Sequence, residues 1–237
     1  DHVFKDCHFT SFTFPSTLSS ISEYAFEGSH LTSADLLNTK IEYLPNGCFC
    51  NCTQLNDVKL PSSLTTPNSG DWKKEDDAKY GKSAFQGTAI ESIDLTNTKL
   101  ISLGDNMFAD CKSLKTVKLP STLRYIWNHA FCNSSLSSIT LPPSLQRIED
   151  YAFQNTQLTN VVIPTSTDHI GEGAFSDNAY LTTVVVNGSK CYLAWKAFWN
   201  CSKLTDVSIT SNNEPVAGRY GRPFDNNPKV HVVPNYL

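Results

Sequence analysis

Three cysteines in a short run, a pair of histidines and a file of acids carry the chemistry that must be weighed first. The segment "CFCNC" at 48–52 has the look of a metal clip. Zinc, however, needs ligands that converge at characteristic spacings, and the alternation of this run is expected to split its sulfurs between interior and exterior. His8 and His30 stand 22 residues apart and offer a surface metal site or a pH-sensitive contact. The plainer reading is two solvated turn residues. Asp105, Asn128, Asp150 and Glu172 recur at 22–23 residues, as a weak cation site or as polar residues on a solvated turn. Catalytic motifs are missing: there is no Gly-rich phosphate loop, no nucleophile elbow, and no His pair with an acid at metalloprotease spacing. Asn51, Asn133, Asn187 and Asn200 begin Asn-x-Ser/Thr sequons, which have meaning only in a eukaryotic secretory pathway.

The equal spacing of the histidines and acids points to what positions them. Ten phenylalanines, Phe4, Phe26, Phe49, Phe85, Phe108, Phe131, Phe153, Phe175, Phe198 and Phe224, follow one another at 22 or 23 residues in seven of nine intervals. A motif present ten times is architectural, since no single catalytic centre needs it so often. The preceding residue is usually small (Ala25, Ala84, Ala130, Ala152, Ala174, Ala197), which fits a close approach between neighbouring turns. Five or six residues after each anchor comes a short strand such as "LNDVKLP", "LKTVKLP", "LSSITLP" or "LTNVVIP". Val58 and Leu60, Val117 and Leu119, Ile139 and Leu141, Val161 and Ile163 alternate inward along it, and proline closes the hydrogen-bonding register. Leu18 and Ile21, Leu100 and Leu103, Leu123 and Ile126, Leu145 and Ile148 then give each coil a second buried edge before the next anchor. One coil cannot bury these residues alone, whereas stacked coils can.

The combined pattern, "LPxxLxxIxxxAFxxCxxLxxxxLP", resembles the BspA-like class of leucine-rich repeat proteins from about Val3 to Pro234. The resemblance implies a cell-surface or secreted, non-catalytic protein that binds a protein ligand, for example a host matrix or cell-surface protein in adhesion. It implies no cofactor and no metal. The expected fold is a leucine-rich repeat solenoid: one β-rich, right-handed domain over 1–237 of about ten coils, with a parallel sheet on one face and short strands or tight turns on the other. An insertion at about 65–80 and an irregular last coil at about 211–237 interrupt it.

Composition agrees with this class. The chain of 237 residues carries 40% apolar residues and a formal charge of −4, and its basic residues form no surface suited to nucleic acid. No apolar run spans a membrane. The start "DHVFKDC" has no signal-peptide profile and no Met, as expected of a processed or excised chain.

The period also reinterprets the cysteines. Cys7, Cys52, Cys111 and Cys201 fall three residues after an anchor, where other coils place Ser29, Thr88, Ser134, Thr156 and Asn178. Small size and hydrogen-bonding capacity unite this column, which reads as an interior ladder with Cys as a weak donor. Its cysteines never occupy adjacent coils, so they lie about 9 Å or more apart, beyond disulfide reach. Cys48 reads as core; Cys50 and Cys132 share one column three coils apart, and Cys191 stands alone.

Binding residues are sought on the outward columns of the sheet. One runs Thr13, Asp35, Lys59, Asp94, Lys118, Thr140, Val162, Val185, Ser208; beside its second half stand Ser138, Asn160, Thr183 and Asp206. The first half alternates acid and base, which stabilises adjacent strands. The second half becomes an apolar strip, so Val162, Val185, Thr140, Asn160 and Thr183 are candidate contact residues, with β-branched strand formation as the plain alternative. Trp72 in the 65–80 insertion and Arg219, Tyr220 and Arg222 in the last coil are further candidates, because loops on rigid scaffolds and Trp, Tyr and Arg are favoured at interfaces. Trp127, Trp195 and Trp199 lie on the turn side, with Trp199 expected to be exposed. The competing function is a structural spacer or stalk repeat in a larger surface protein.

Overall fold

Each coil in the computed structural model brings its phenylalanine onto that of the next, forming one continuous file of rings. The structure describes residues 1–66, 81–188, 191–209, 223–224, 226–227 and the backbone of 231–234. From Phe4 to Phe224 successive centroids stand 5.0–5.8 Å apart with planes within 3–26°. At that distance near-parallel rings are offset, the favourable arrangement for aromatic pairs. The seven rings from Phe49 to Phe198 are fully buried.

The backbone explains why the file is possible. In the turn around Phe85, the N–H groups of Ser83, Phe85 and Gly87 donate to the carbonyls of Asp105, Met107 and Ala109 in the next coil, at 2.8, 3.0 and 2.9 Å. The same alternate-residue pattern recurs in the turns around Phe108 (Asn106 to Asn128, Phe108 to Ala130, Asp110 to Cys132) and Phe131 (His129 to Asp150, Phe131 to Ala152, Asn133 to Gln154). The residues two before and two after the anchor adopt positive φ: Asn106 (56°), Asp110 (59°), His129 (57°), Asn133 (59°). Left-handed backbone disfavours ordinary side chains and tolerates Asn, Asp and Gly, so the recurrence of Asn two residues after the anchor has a conformational cause. Three of the four sequon asparagines, Asn51, Asn133 and Asn200, sit at this position with φ of 58–59°.

Two parallel ladders flank the core. On the broad face run β1 (Ser33–Asp35), β2 (Asp57–Lys59), β3 (Ser92–Asp94), β5 (Thr116–Lys118), β7 (Ser138–Ile139), β9 (Asn160–Ile163), β11 (Thr183–Val186), β13 (Asp206–Ile209) and β14 (His231–Pro234). They pair as β1-β2, β3-β5-β7 and β9-β11-β13-β14. The opposite face carries the two-residue strands β4 (Ser102–Leu103), β6 (Tyr125–Ile126), β8 (Arg147–Ile148), β10 (His169–Ile170) and β12 (Tyr192–Leu193) in one ladder. No helix occurs among the described residues. The expected sheet on one face and short strands on the other are therefore both present.

Inward residues fall where the period places them. Leu60, Val117, Leu141, Val161 and Ile163 are buried, while Val58, Leu119 and Ile139 are partly buried against the same core. The second edge, Leu100, Leu103, Leu123, Ile126, Leu145 and Ile148, is buried as well, and each listed alanine before an anchor is at most 4% exposed. The regular solenoid spans about seven turns, fewer than the ten anchors suggest. Residues 11–13 of coil 1 form no strand. The insertion leaves the stack intact: Phe49 and Phe85 remain stacked at 5.8 Å across it. Its flanks are tied to other coils by Gly81 N–H on the Leu44 carbonyl (3.0 Å), and by Ile101 and Ser102 N–H on the Thr66 hydroxyl (2.8 and 3.0 Å).

Truncating one ring in the middle of the file leaves a void bounded by two others. Phe131→Ala is expected to lower unfolding stability in urea by about 3–5 kcal/mol; a loss below about 1 kcal/mol would show that the stack is not the main packing contact.

Candidate protein-binding face

The residue types that suggested chemistry are consumed by the architecture. Cys52 Sγ donates to the Phe26 carbonyl at 2.9 Å, Cys111 to Phe85 at 3.0 Å and Cys201 to Phe175 at 3.2 Å. Asn178 extends the ladder, giving one N–H to Phe153 and one to Phe175, each at 2.8 Å, while its carbonyl accepts from Thr156 N–H at 3.0 Å. Asn227 repeats the role on the Phe198 carbonyl at 2.7 Å. These Cys and Asn members thus satisfy buried carbonyls beside the anchors, as the composition of the column implied, whereas the buried Ser134 hydroxyl in the same column has no partner among the described residues.

All eight cysteines are free. The expectation that "CFCNC" divides its sulfurs between interior and exterior is corrected: Cys48, Cys50 and Cys52 are all buried, at 0, 7 and 0% exposure. Cys50 is short, and the longer Glu27 and Gln86 flank it along its column. Burial, as the leading cause, pushes the Cys48 and Cys52 thiols up, Cys50 and Cys132 to about 11, and Cys191 and Cys201 to about 12. Protonated thiols are poor nucleophiles and poor metal ligands.

The acid column is also structural. Asn128 N–H donates to Asp105 Oδ1 (3.1 Å), Asp150 N–H to Asn128 Oδ1 (3.1 Å) and Glu172 N–H to Asp150 Oδ1 (2.7 Å). Its oxygens are therefore turned along the stack to the next coil, where a cation would have needed them turned together. Burial raises the Asp105 pKa, more than Lys82 and Asn128 lower it. His8 and His30 stack at 4.6 Å, 19° between planes. Among the described residues no group of three or more His, Cys, Asp or Glu is placed to hold a metal ion.

On the broad face, charges in the first half are paired with one another. Lys59 Nζ lies 3.8 Å from Asp35 and 3.9 Å from Asp57; Lys115 lies 3.9 Å from Glu91 and Lys118 3.1 Å from Asp94. The Thr96 hydroxyl and N–H, with Lys118 behind them, pull Asp94 down to about 2. The second half is different. Register places Asn160 beside Thr183 and Val162 beside Val185, with Asp206 and Ser208 next. Val162 is 53% exposed, Asn160 is exposed, and Thr183 and Val185 are half-buried.

Thr140 is exposed and lies one residue past the end of β7. The strand stops at Ile139, whereas β5 continues through the equivalent of Thr140, Lys118. Trp72, Arg219, Tyr220 and Arg222 lie outside the described residues. Trp199 is half-buried rather than exposed, and Lys196 Nζ lies 5.2 Å from its ring and 4.0 Å from that of the exposed Trp195.

A row on the opposite face escaped the sequence reading. Tyr125, Arg147, His169 and Tyr192 are lateral neighbours in the short-strand ladder. All stand six residues before an anchor, and that column is legible in the period. Glu149 takes Arg147 Nε at 2.6 Å and lies 3.7 Å from His169 Nε2, while His169 stacks on Tyr192 at 5.4 Å.

Stacked coils with parallel ladders and a repeated aromatic file define a β-solenoid of the leucine-rich repeat kind. The family model for the BspA type leucine rich repeat region matches residues 1–73 and 78–205 in six copies, and the chain belongs to that family. A comparison with curated proteins finds no match. Among crystal structures, the leucine-rich repeat protein TpLRR of T. pallidum is 31% identical over 54% of this chain and 63% of its own, with a TM-score of 0.47. The pneumococcal vaccine antigen PcpA is 19% identical over 84% and 61%, TM-score 0.48. A leucine-rich repeat protein from Bacteroides ovatus is 20% identical over 83% and 68%, TM-score 0.41. The chain thus covers less than two thirds of the first two proteins. No helix among the described residues is long and apolar enough to cross a membrane.

Two outcomes follow from the buried groups. Native protein labelled with a thiol reagent near pH 8 should modify half-buried Cys7 and Cys191 first, leaving Cys48, Cys52, Cys111 and Cys201 unlabelled until denaturant is added. Mass spectrometry of the labelled peptides reads the order, and early labelling of Cys52 would contradict the ladder. Burial, and then Arg147, hold His169 below the usual His range against the pull of Glu149. The folded state therefore binds this proton less readily than the unfolded chain. The corresponding stability is present above about pH 6.5 and is lost as pH falls below it. The urea midpoint should fall between about pH 7.5 and 5.5, and His169→Gln should make that fall shallower; an unchanged slope would assign the acid sensitivity elsewhere.

Proposed function

We propose that this chain is a non-catalytic, cell-surface or secreted protein-binding module, and that the exposed half of its broad sheet, centred on Val162, is the contact surface. One observation carries the reading: a half-exposed valine stands on a regular ladder beside Val185, with Asn160 and Thr183 as uncharged neighbours. Apolar surface among small polar groups loses little on desolvation, whereas the paired charges of the first half would have to be stripped of water and of each other. Membership in the BspA type leucine rich repeat family supports an exported location and adhesion to host or neighbouring-cell proteins as the context. Trp72 and the Arg219, Tyr220, Arg222 group belong to this proposal as secondary contacts.

Purified matrix and cell-surface proteins, passed over the immobilised chain and over a Val162→Asp, Val185→Asp variant that circular dichroism shows folded, test the reading. A partner of the parent should lose at least about tenfold in affinity, or roughly 1.4 kcal/mol, to the variant. Unchanged binding would remove the sheet face from the interface. The second reading, a spacer in a larger surface protein, is favoured by the internal consumption of nearly every polar column, and it expects the same variant to be silent.

A further inference from the structure

Two Asn-Gly dipeptides occur in the chain, Asn46-Gly47 and Asn187-Gly188. Glycine after asparagine leaves the next backbone nitrogen without a flanking side chain, and that nitrogen is then able to attack the asparagine amide. Both asparagines are half-buried and both glycines are buried, so accessibility does not separate the pairs. Hydrogen bonding does.

At Asn46-Gly47 every group that would have to move is held by another coil. Asn46 Nδ2 donates to Glu23 at 2.9 Å, and its Oδ1 accepts the Lys82 N–H at 3.2 Å. The Gly47 N–H donates to the Lys82 carbonyl at 2.8 Å, and the Asn46 carbonyl accepts the Tyr24 N–H at 2.9 Å. Gly47 also has the left-handed φ of 58° that belongs to the turn ladder.

Asn187-Gly188 lies just past β11, outside that ladder. The Asn187 N–H donates to the Ile163 carbonyl at 3.0 Å, which holds the residue from its N-terminal side alone. Among the described residues nothing bonds the Asn187 side chain, the Asn187 carbonyl or the Gly188 N–H. A buried backbone N–H without an acceptor is rare in folded proteins. Close approach demands glycine here, because a Cβ at this position would stand 2.7 Å from the Thr167 carbonyl. The residue that packing requires is therefore also the one that leaves its nitrogen open to react.

We propose that Asn187 is a modification site, converted by spontaneous deamidation through the Gly188 nitrogen. That nitrogen gives up its proton and bonds to Asn187 Cγ; the Cγ–Nδ2 bond breaks and Nδ2 leaves as ammonia, closing an imide ring. Water then opens either carbonyl–nitrogen bond of the ring, giving aspartate or isoaspartate. Water is the only co-reactant. The product carries a negative charge two residues beyond Val185, in the outward alternation of β11. The isoaspartate form also lengthens the backbone beside the Ile163 hydrogen bond. The chemistry is independent of the sheet-face reading.

Incubation of the native protein in mildly alkaline buffer tests it, with peptide mass spectrometry reading the amide-to-acid mass gain at each dipeptide and enzymatic methylation detecting isoaspartate. Asn187 should convert at least about tenfold faster than Asn46, which must first break its bonds to neighbouring coils. In urea, where both dipeptides are free, the two rates should converge. Isoaspartate at position 187 identifies the ring route, since direct hydrolysis of the side chain does not produce it. Asn187→Gln should abolish the signal from that peptide and leave Asn46 slow. Equal native rates at the two sites overturn the proposal, as does an Asn187 that converts in urea but not in the native protein. Aspartate at 187 without isoaspartate overturns the route through Gly188.

Discussion

Everything in this molecule depends on the turn at each phenylalanine, where alternate backbone N–H groups are handed to the next coil. A ring in every coil can be fully buried only if the backbone beside it leaves no polar group unpaired, because an unsatisfied buried amide costs as much as the packing gains. The left-handed residues on either side of the anchor solve this by turning successive donors the same way. Ring distances of 5.0–5.8 Å then follow from the spacing of the coils. The Cys and Asn members of the interior column add side-chain donors to the anchor carbonyls, and Phe26 and Phe85 then accept both a turn N–H and a thiol.

Much of this was legible because a solenoid writes three-dimensional neighbours as equal steps in sequence. Anchor spacing placed the rings, and inward alternation placed Val117, Val161 and Ile163. What the period could not carry was accessibility, which depends on the length of flanking side chains as well as on column. Cys50 is buried between Glu27 and Gln86 although its column is peripheral, and Trp199 is half-buried beside a lysine three positions before it. β7 ends at Ile139, one residue short of Thr140, although the same column is paired at Lys118. The acid file suits a weak cation site or a solvated turn in sequence, yet Asp105, Asn128 and Asp150 each accept a backbone N–H from the next coil. A list of residue types cannot separate those cases, since carboxylates and asparagines suit both.

The same economy limits where function can lie. Thiols donate to carbonyls, carboxylates accept amides, and lysines on the first half of the broad face lie against acids. Groups so committed are costly to recruit for a ligand. Among the described residues, the large apolar side chains that stay exposed include Val162, Leu37, Tyr180 and Val3. Binding on such a scaffold rests on shape and apolar contact more than on titratable chemistry.

Directionality is the last consequence of the turn. A fold whose units each give N–H groups forward and carbonyls back has no internal reason to stop, because every added coil meets the same complementary surface as the one before. Interior coils therefore tolerate interruption: the insertion between Phe49 and Phe85 changes the sequence interval without breaking the ring file. Phe4, Phe12 and Phe14 follow the same rule, packing against Phe26 at 5.1–5.5 Å as the rings of later coils pack on one another.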